Sequence, residues 1–132
     1  MGAFSTSTIF PSGFTVTNWD SITSINRSQP LTFNWTGSSF DQVSVVLSTA
    51  LIANGSQHLS TINCNIPGSL GTYTIPTAAL AYLSPGGTNS GSFSVQAISA
   101  PGKFTANLTK GGTTDIGVFG ANLGYSKNLA VQ

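Results

Sequence analysis

Apolar and polar residues alternate along most of this chain with a period of two. In the run from Leu31 to Thr36, apolar Leu31, Phe33 and Trp35 are separated by threonine and asparagine, which is the pattern of a half-buried strand. The same alternation recurs in Phe14/Val16, Val43/Val45/Leu47, Ile62/Cys64/Ile66, Tyr73/Ile75, Phe93/Val95/Ala97, Phe104/Ala106/Leu108, Leu123/Tyr125 and the terminal Leu129-Ala130-Val131. These runs predict about eight or nine short strands, the number and spacing typical of a sandwich or barrel.

Turn signals rich in Gly and Pro separate the predicted strands. Asn54-Gly55 lies between two strand-like runs and is the strongest signal for a tight β-hairpin. Residues 77–83 differ from the rest, because they are rich in Ala and Leu, follow Pro76 and precede Pro85-Gly86-Gly87. We expect one short helical crossover there, leading from one sheet to the other.

The length and hydrophobic content favour one folded domain. A chain of 132 residues with 39% hydrophobic residues is large enough to bury a single core. Its uninterrupted apolar runs are only a few residues long, so we expect no membrane insertion. We interpret residues 1–12 as an N-terminal extension or donated strand, and residues 13–132 as a β-sandwich domain.

Charge is scarce, and this narrows the chemistry that the chain can support. Only 5% of the residues are charged, the net charge is +1 and glutamate is absent, whereas an ordinary soluble domain has about 25% charged residues. The charges are Arg27, Lys103, Lys110, Lys127, Asp20, Asp41 and Asp115. The sequence therefore lacks a basic stripe for nucleic acid, a spaced set of metal ligands and the usual carboxylate pair of a glycosidase. We expect no catalytic residues, no metal site and no cofactor.

His58 and Cys64 have side chains that can take part in catalysis, but the sequence favours a structural role for both. His58 is the single histidine and is the candidate general base, but the chain has no G-x-S-x-G elbow, so we predict a solvated strand residue beside the hairpin. Cys64 alternates in phase with Ile62 and Ile66, which predicts a small buried hydrophobe. Lys103, Lys110 and Lys127 are predicted to protect strand edges from pairing with other chains.

Two binding hypotheses need only neutral groups. Trp19, Tyr82 and Tyr125 are candidates for an aromatic platform that binds carbohydrate. The apolar segment Thr8-Ile9-Phe10 is a candidate donated strand, by which copies of the chain would assemble into a filament.

Several short segments occur in the order and spacing of a known sequence family. They are Asn18-Trp19-Asp20, the run from Ile25 through Trp35-Thr36-Gly37, Ile62-Asn63-Cys64, Gly71-Thr72-Tyr73-Thr74-Ile75-Pro76 with Leu80 and Leu83, Gly91-Ser92-Phe93-Ser94-Val95, and the final Gln132. Over roughly residues 14–132 the chain resembles an immunoglobulin-like module found near the C-termini of large secreted proteins of acidobacteria. It departs from that family at Ser38-Ser39-Phe40-Asp41 and at Leu83-Ser84-Pro85, which affects loops. The resemblance implies an exported protein and brings no catalytic residues or ligand.

The sequence thus predicts an all-β, immunoglobulin-like sandwich of seven to nine strands. The predicted core consists of Leu31, Phe33, Trp35, Val45, Ile62, Cys64, Phe93, Val95 and Phe104. We expect a non-enzymatic structural or interaction module, extracellular or on the cell surface of a bacterium. Its expected partners are other domains of the same parent chain, further copies of itself or polysaccharide; the alternatives are a filament subunit and a carbohydrate-binding module.

Overall fold

A computed structural model describes residues 7–104 and 117–132, without the side chains of Lys103 and Phe104. The fold is all-β. The strands are β1 (Ser12–Val16), β2 (Ser24–Ile25), β3 (Leu31–Ser38), β4 (Gln42–Ala53), β5 (Ser56–Pro67), β6 (Thr72–Ile75), β7 (Gly86–Ile98), β8 (Gly102–Phe104), β9 (Gly117–Phe119) and β10 (Asn122–Val131). One turn of 3-10 helix spans Gly68–Leu70, and one short α-helix, α1, spans Thr77–Leu80.

The longer strands form two sheets that pack face to face. One sheet has three strands in the order β1-β3-β6, and the other has five in the order β2-β10-β7-β4-β5. Strands β8 and β9 form a separate pair. The described residues thus contain ten strands, but β2, β8 and β9 have only two or three residues each. The seven longer strands confirm the predicted all-β sandwich, and the alternation did not predict the short strands β2 and β9.

The core lies between the sheets because strand register places apolar side chains in rows. In the five-stranded sheet, Cys64, Val45, Val95 and Tyr125 are aligned across β5, β4, β7 and β10. The opposite sheet contributes Phe33, whose ring centroid lies 6.1 Å from that of Phe93. Side chains that alternate with these rows face outward, as expected for strands with a period of two.

Strands β4 and β5 form the predicted hairpin. They pair without a register shift from Gln42 with Pro67 to Ala53 with Ser56, which leaves Asn54 and Gly55 as a two-residue loop. The φ angles of these two residues are 52° and 76°, and positive φ at both positions is what a type I′ turn requires. Asn and Gly are the residues that adopt this geometry at the least cost.

The predicted helical crossover is also present. It leads from β6 in the three-stranded sheet through α1 to β7 in the five-stranded sheet. The helix ends at Leu80, earlier than predicted, but a further turn continues to Leu83, whose N–H donates to the Leu80 carbonyl. Leu80 and Leu83 are buried, so this segment closes one side of the core. A guanidinium N–H of Arg27 donates to the Leu83 carbonyl at 3.1 Å.

The predicted core is largely confirmed. Phe33, Trp35, Val45, Phe93 and Val95 are buried. Three other predicted core residues, Leu31, Ile62 and Cys64, are only half-buried. Ile62 and Cys64 lie on β5, which has a neighbouring strand on one side only, so their side chains are incompletely covered.

Some predictions concern residues outside the described ranges. The run Phe104/Ala106/Leu108 is described only as far as the backbone of Phe104 in β8. Lys110 and Asp115 also lie outside the described residues, as do residues 1–6 of the predicted extension. Within residues 7–104 and 117–132, no helix has both the length and the apolar character needed to cross a membrane.

Candidate functional site

Strand β5 is a long and uncharged edge of the five-stranded sheet. It has twelve residues and pairs with β4 on one side. In the part of the chain that the structure describes, residues 56–66 make no backbone hydrogen bond outside that pairing. Every second residue of an antiparallel edge strand directs its N–H and C=O away from the sheet. The edge can therefore accept another extended segment.

The other exposed edges of the two main sheets carry features that discourage pairing. Strand β1 has a register shift between Ser12 and Thr15, and such irregularities interrupt a regular ladder. Strand β6 has only four residues and is followed by Pro76, and neither short strands nor proline favour strand addition. Strand β10 carries Lys127 and is covered at its end by β2.

Lys127 faces inward on β10. It lies opposite Phe93 in the register between β10 and β7, so its side chain is on the core face of the sheet. Its ammonium lies 4.3 Å from the ring centroid of Trp19 and donates to the Trp19 carbonyl. Burial lowers the pKa of Lys127, although the negative charge of Asp20 partly opposes this shift. An inward charge on an edge strand hinders pairing; the edge-protecting role of Lys127 stays a prediction.

Two of the three residues predicted as a carbohydrate platform lie together. The ring centroids of Trp19 and Tyr125 are 5.3 Å apart, and Trp19 also stacks on Phe93 at 5.3 Å. Tyr82 is 82% exposed, and among the described residues no ring pair joins it to the other two. Trp19 thus packs against the core and under the Lys127 ammonium. Carbohydrate binding stays a prediction, with Tyr82 as its freely exposed ring.

The predicted donor segment lies at one end of the sandwich. Thr8, Ile9 and Phe10 are outside any strand, and Ile9 and Phe10 are 70% and 58% exposed. The Thr8 hydroxyl donates to the Ala100 carbonyl at 2.8 Å. A cleft of about 430 Å³ lies between this segment and Phe40, Asp41 and Pro101. The segment therefore presents two large apolar side chains to solvent.

His58 lies near the end of the β4–β5 hairpin. It is exposed and lies opposite Leu51 in the hairpin register, as predicted for a solvated strand residue. Across the described ranges, no three His, Cys, Asp or Glu side chains come together as metal ligands.

Cys64 on β5 and Tyr73 on β6 lie near each other, at neighbouring edges of the two sheets. The charge of a Cys64 thiolate raises the pKa of Tyr73 above the usual 10.0, and burial acts in the same direction. The folded chain therefore holds the Tyr73 proton more tightly than the unfolded chain, and this contribution to stability is lost as the pH rises above about 10.

We expect Cys64→Ser to lower the pKa of Tyr73 toward 10.0, because serine removes the thiolate charge. The measurement is a titration that follows tyrosinate absorbance, with Tyr73→Phe to identify which step belongs to Tyr73. An unchanged Tyr73 step in Cys64→Ser would show that the thiolate does not control it.

Sequence reasoning did not single out β5 as the open edge. The sequence feature that points toward an unprotected edge is the absence of charge, since residues 42–102 contain no Asp, Glu, Lys or Arg. That stretch includes β4, β5, β6 and β7. Alternation identifies these strands, but the order of strands in the sheet decides which of them is left at an edge.

Comparisons with protein-family models, curated proteins and solved structures find no match to this chain. The class of protein that the structure defines is an all-β sandwich.

Proposed function

We propose that the chain is a non-enzymatic structural and interaction module of an exported or cell-surface bacterial protein. The proposal rests on the neutral polar side chains that cover the outer face of the five-stranded sheet. Register aligns Thr61, Ser48, Ser92 and Asn128 across four strands there. The hydroxyls of Thr61 and Ser48 lie within hydrogen-bond distance at 3.3 Å. The surface is polar through neutral hydroxyl and amide groups.

A neutral surface suits a module that must stay folded in media of varying salt. Ser, Thr, Asn and Gln supply 51 of the 132 residues, against seven charged ones. Added salt weakens interactions between exposed charges, and few such interactions exist here. The scarcity of charge and the resemblance of residues 14–132 to modules of secreted proteins support the exported location.

We expect the free energy of unfolding at neutral pH to change by less than about 0.5 kcal/mol between about 0.05 M and 0.5 M sodium chloride. Urea denaturation at each salt concentration measures it. A change above about 2 kcal/mol would show that charge interactions stabilise the fold and would contradict a neutral structural module.

Catalysis is tested separately. The chain should turn over no ester, peptide or glycoside substrate. Turnover that disappears in His58→Ala would overturn the non-enzymatic assignment, because His58 is the candidate base of the chain.

A second candidate function is self-assembly through strand donation. The exposure of Ile9 and Phe10 favours it, because a donated strand would bury these side chains against another copy. Transfer of one segment to the next copy in a fixed direction would produce an open filament. The experiment described below separates this arrangement from a closed pair.

A further inference from the structure

We propose that the β5 edge pairs with the β5 edge of a second copy, in an antiparallel arrangement about a two-fold axis. This inference rests on the interaction role proposed above and assigns its site and partner. Both edges would be occupied in the pair, so the five-stranded sheets of two copies would form one continuous sheet.

The choice of β5 follows from its lack of protection. It pairs with β4 over all twelve residues without a register shift. Its sequence contains no Lys, Arg, Asp or Glu, and its one proline, Pro67, is the last residue. Long, regular and uncharged edges are those that add strands most readily. The exposed edges of β1, β6 and β10 each have a bulge, short length or charge that β5 lacks.

The choice of partner follows from self-complementarity. A strand that pairs antiparallel with its own copy brings each residue opposite another residue of the same strand. The side chains of β5 alternate between the two faces of the sheet. Those on the outer face are Thr61, Asn63 and Asn65, and those on the inner face are Ile62, Cys64 and Ile66. In the pair, neutral polar side chains of one copy lie opposite neutral polar side chains of the other. Apolar side chains likewise lie opposite apolar ones, so no like charges face each other.

Little else opposes the approach of two copies. The net charge of the chain is only +1, so long-range repulsion between copies is weak. The exposed outer side chains Leu59 and Ile52, at 70% and 76% exposure, lie beyond the central part of the edge and add apolar surface near it. Pairing of single edge strands buries less than the roughly 1,200 Å² of a stable interface, so we expect weak, concentration-dependent dimers.

The test is sedimentation equilibrium of the whole chain from about 10 μM to 1 mM, a range suited to weak association. The wild-type chain should form a discrete dimer. Asn63→Lys places a charge on the outer face near the middle of β5, where two symmetry-related lysines would repel each other. It should raise the dissociation constant at least about tenfold.

The matched control is Ser92→Lys. Ser92 is an exposed outer-face residue of β7, a strand with neighbours on both sides, so this variant adds the same charge away from the edge. It should dimerise like the wild-type chain. Equal weakening by both lysines would overturn the proposal, because it would indicate a general effect of charge.

Hydrogen exchange of the wild-type chain provides a readout that does not depend on any variant. Amide protection within residues 57–66 should increase between about 10 μM and 1 mM, while the amides of β1 should not change. A chain that stays monomeric at about 1 mM, or a dimer without new protection in β5, would overturn the inference. Either result would leave the structural role unaffected, since that role is tested by salt response and turnover.

The double variant Ile9→Ser/Phe10→Ser separates edge pairing from strand donation. Both side chains are exposed, and the closed β5 pair does not use them, so dimerisation should be unchanged. Loss of assembly in this variant, together with open-ended fibres in the wild-type chain, would overturn β5 self-pairing and support donation.

Discussion

Replacement of Phe33 with alanine should lower the free energy of unfolding by about 3–5 kcal/mol, the range for a large aromatic removed from a packed core. Phe33 lies on β3 and is fully buried. Its ring centroid lies 5.5 Å from Trp35, 6.0 Å from Tyr73 and 6.1 Å from Phe93. Because Phe93 belongs to the opposite sheet, the Phe33 ring joins the two layers, and its removal would leave a cavity between them.

Urea denaturation measures this loss as a shift of the midpoint. Tyr82→Ala is the matched control, since it removes an aromatic ring that is 82% exposed and should change stability by less than about 0.5 kcal/mol. A loss below about 1 kcal/mol for Phe33→Ala would show that the layers do not depend on this ring. A total stability of about 5–15 kcal/mol is typical of a single domain, so a wild-type stability well above about 5 kcal/mol leaves the variant folded without denaturant.

The sequence predicts the strands well because the relevant signals are local. Alternation places Phe33 and Trp35 on one face of β3, and the Asn54-Gly55 pair specifies its own turn through positive φ. The short crossover was also predictable from Pro76 and the Ala/Leu run that follows it. Each of these features depends on residues only a few positions apart.

Features that depend on strand order could not be predicted in this way. Cys64 has the alternation of a core residue, yet it is half-buried because β5 lies at the edge of its sheet. Lys127 is likewise in phase with apolar Tyr125 and Leu129, and its side chain lies on the core face. Its position is tolerated because Trp19, more than one hundred residues earlier in the sequence, provides a carbonyl acceptor and a ring.

The open β5 edge also depends on strand order, and so it could not be predicted from the sequence. The absence of charge from residues 42–102 is visible in the sequence, but it applies equally to β4, β6 and β7. Strands β4 and β7 have neighbours on both sides, whereas β5 does not. The sequence therefore indicates lightly protected strands, and the pairing of the folded chain selects β5 among them.

Replacement of Gly37 with alanine should lower the free energy of unfolding by about 2–6 kcal/mol, the combined range for an unfavourable φ and an overpacked contact. Gly37 lies near the end of β3 and has a φ of 132°, which side chains of L-residues rarely adopt. A Cβ atom at this position would lie 2.9 Å from the Gly13 carbonyl oxygen and from the Phe14 backbone. These atoms belong to β1 and cannot rotate away as a flexible side chain can.

The loss should affect β1 first, because β1 is held in its sheet by its pairing with β3. Hydrogen exchange should therefore show faster exchange in β1 than elsewhere, while urea denaturation measures the overall loss. Gly87→Ala is the matched control, since Gly87 is exposed and a Cβ atom there would meet no atom within 4 Å. It should change stability by less than about 0.5 kcal/mol. Equal effects of the two substitutions would mean that the loss comes from glycine's backbone freedom in general, and not from the close approach of β1 to β3.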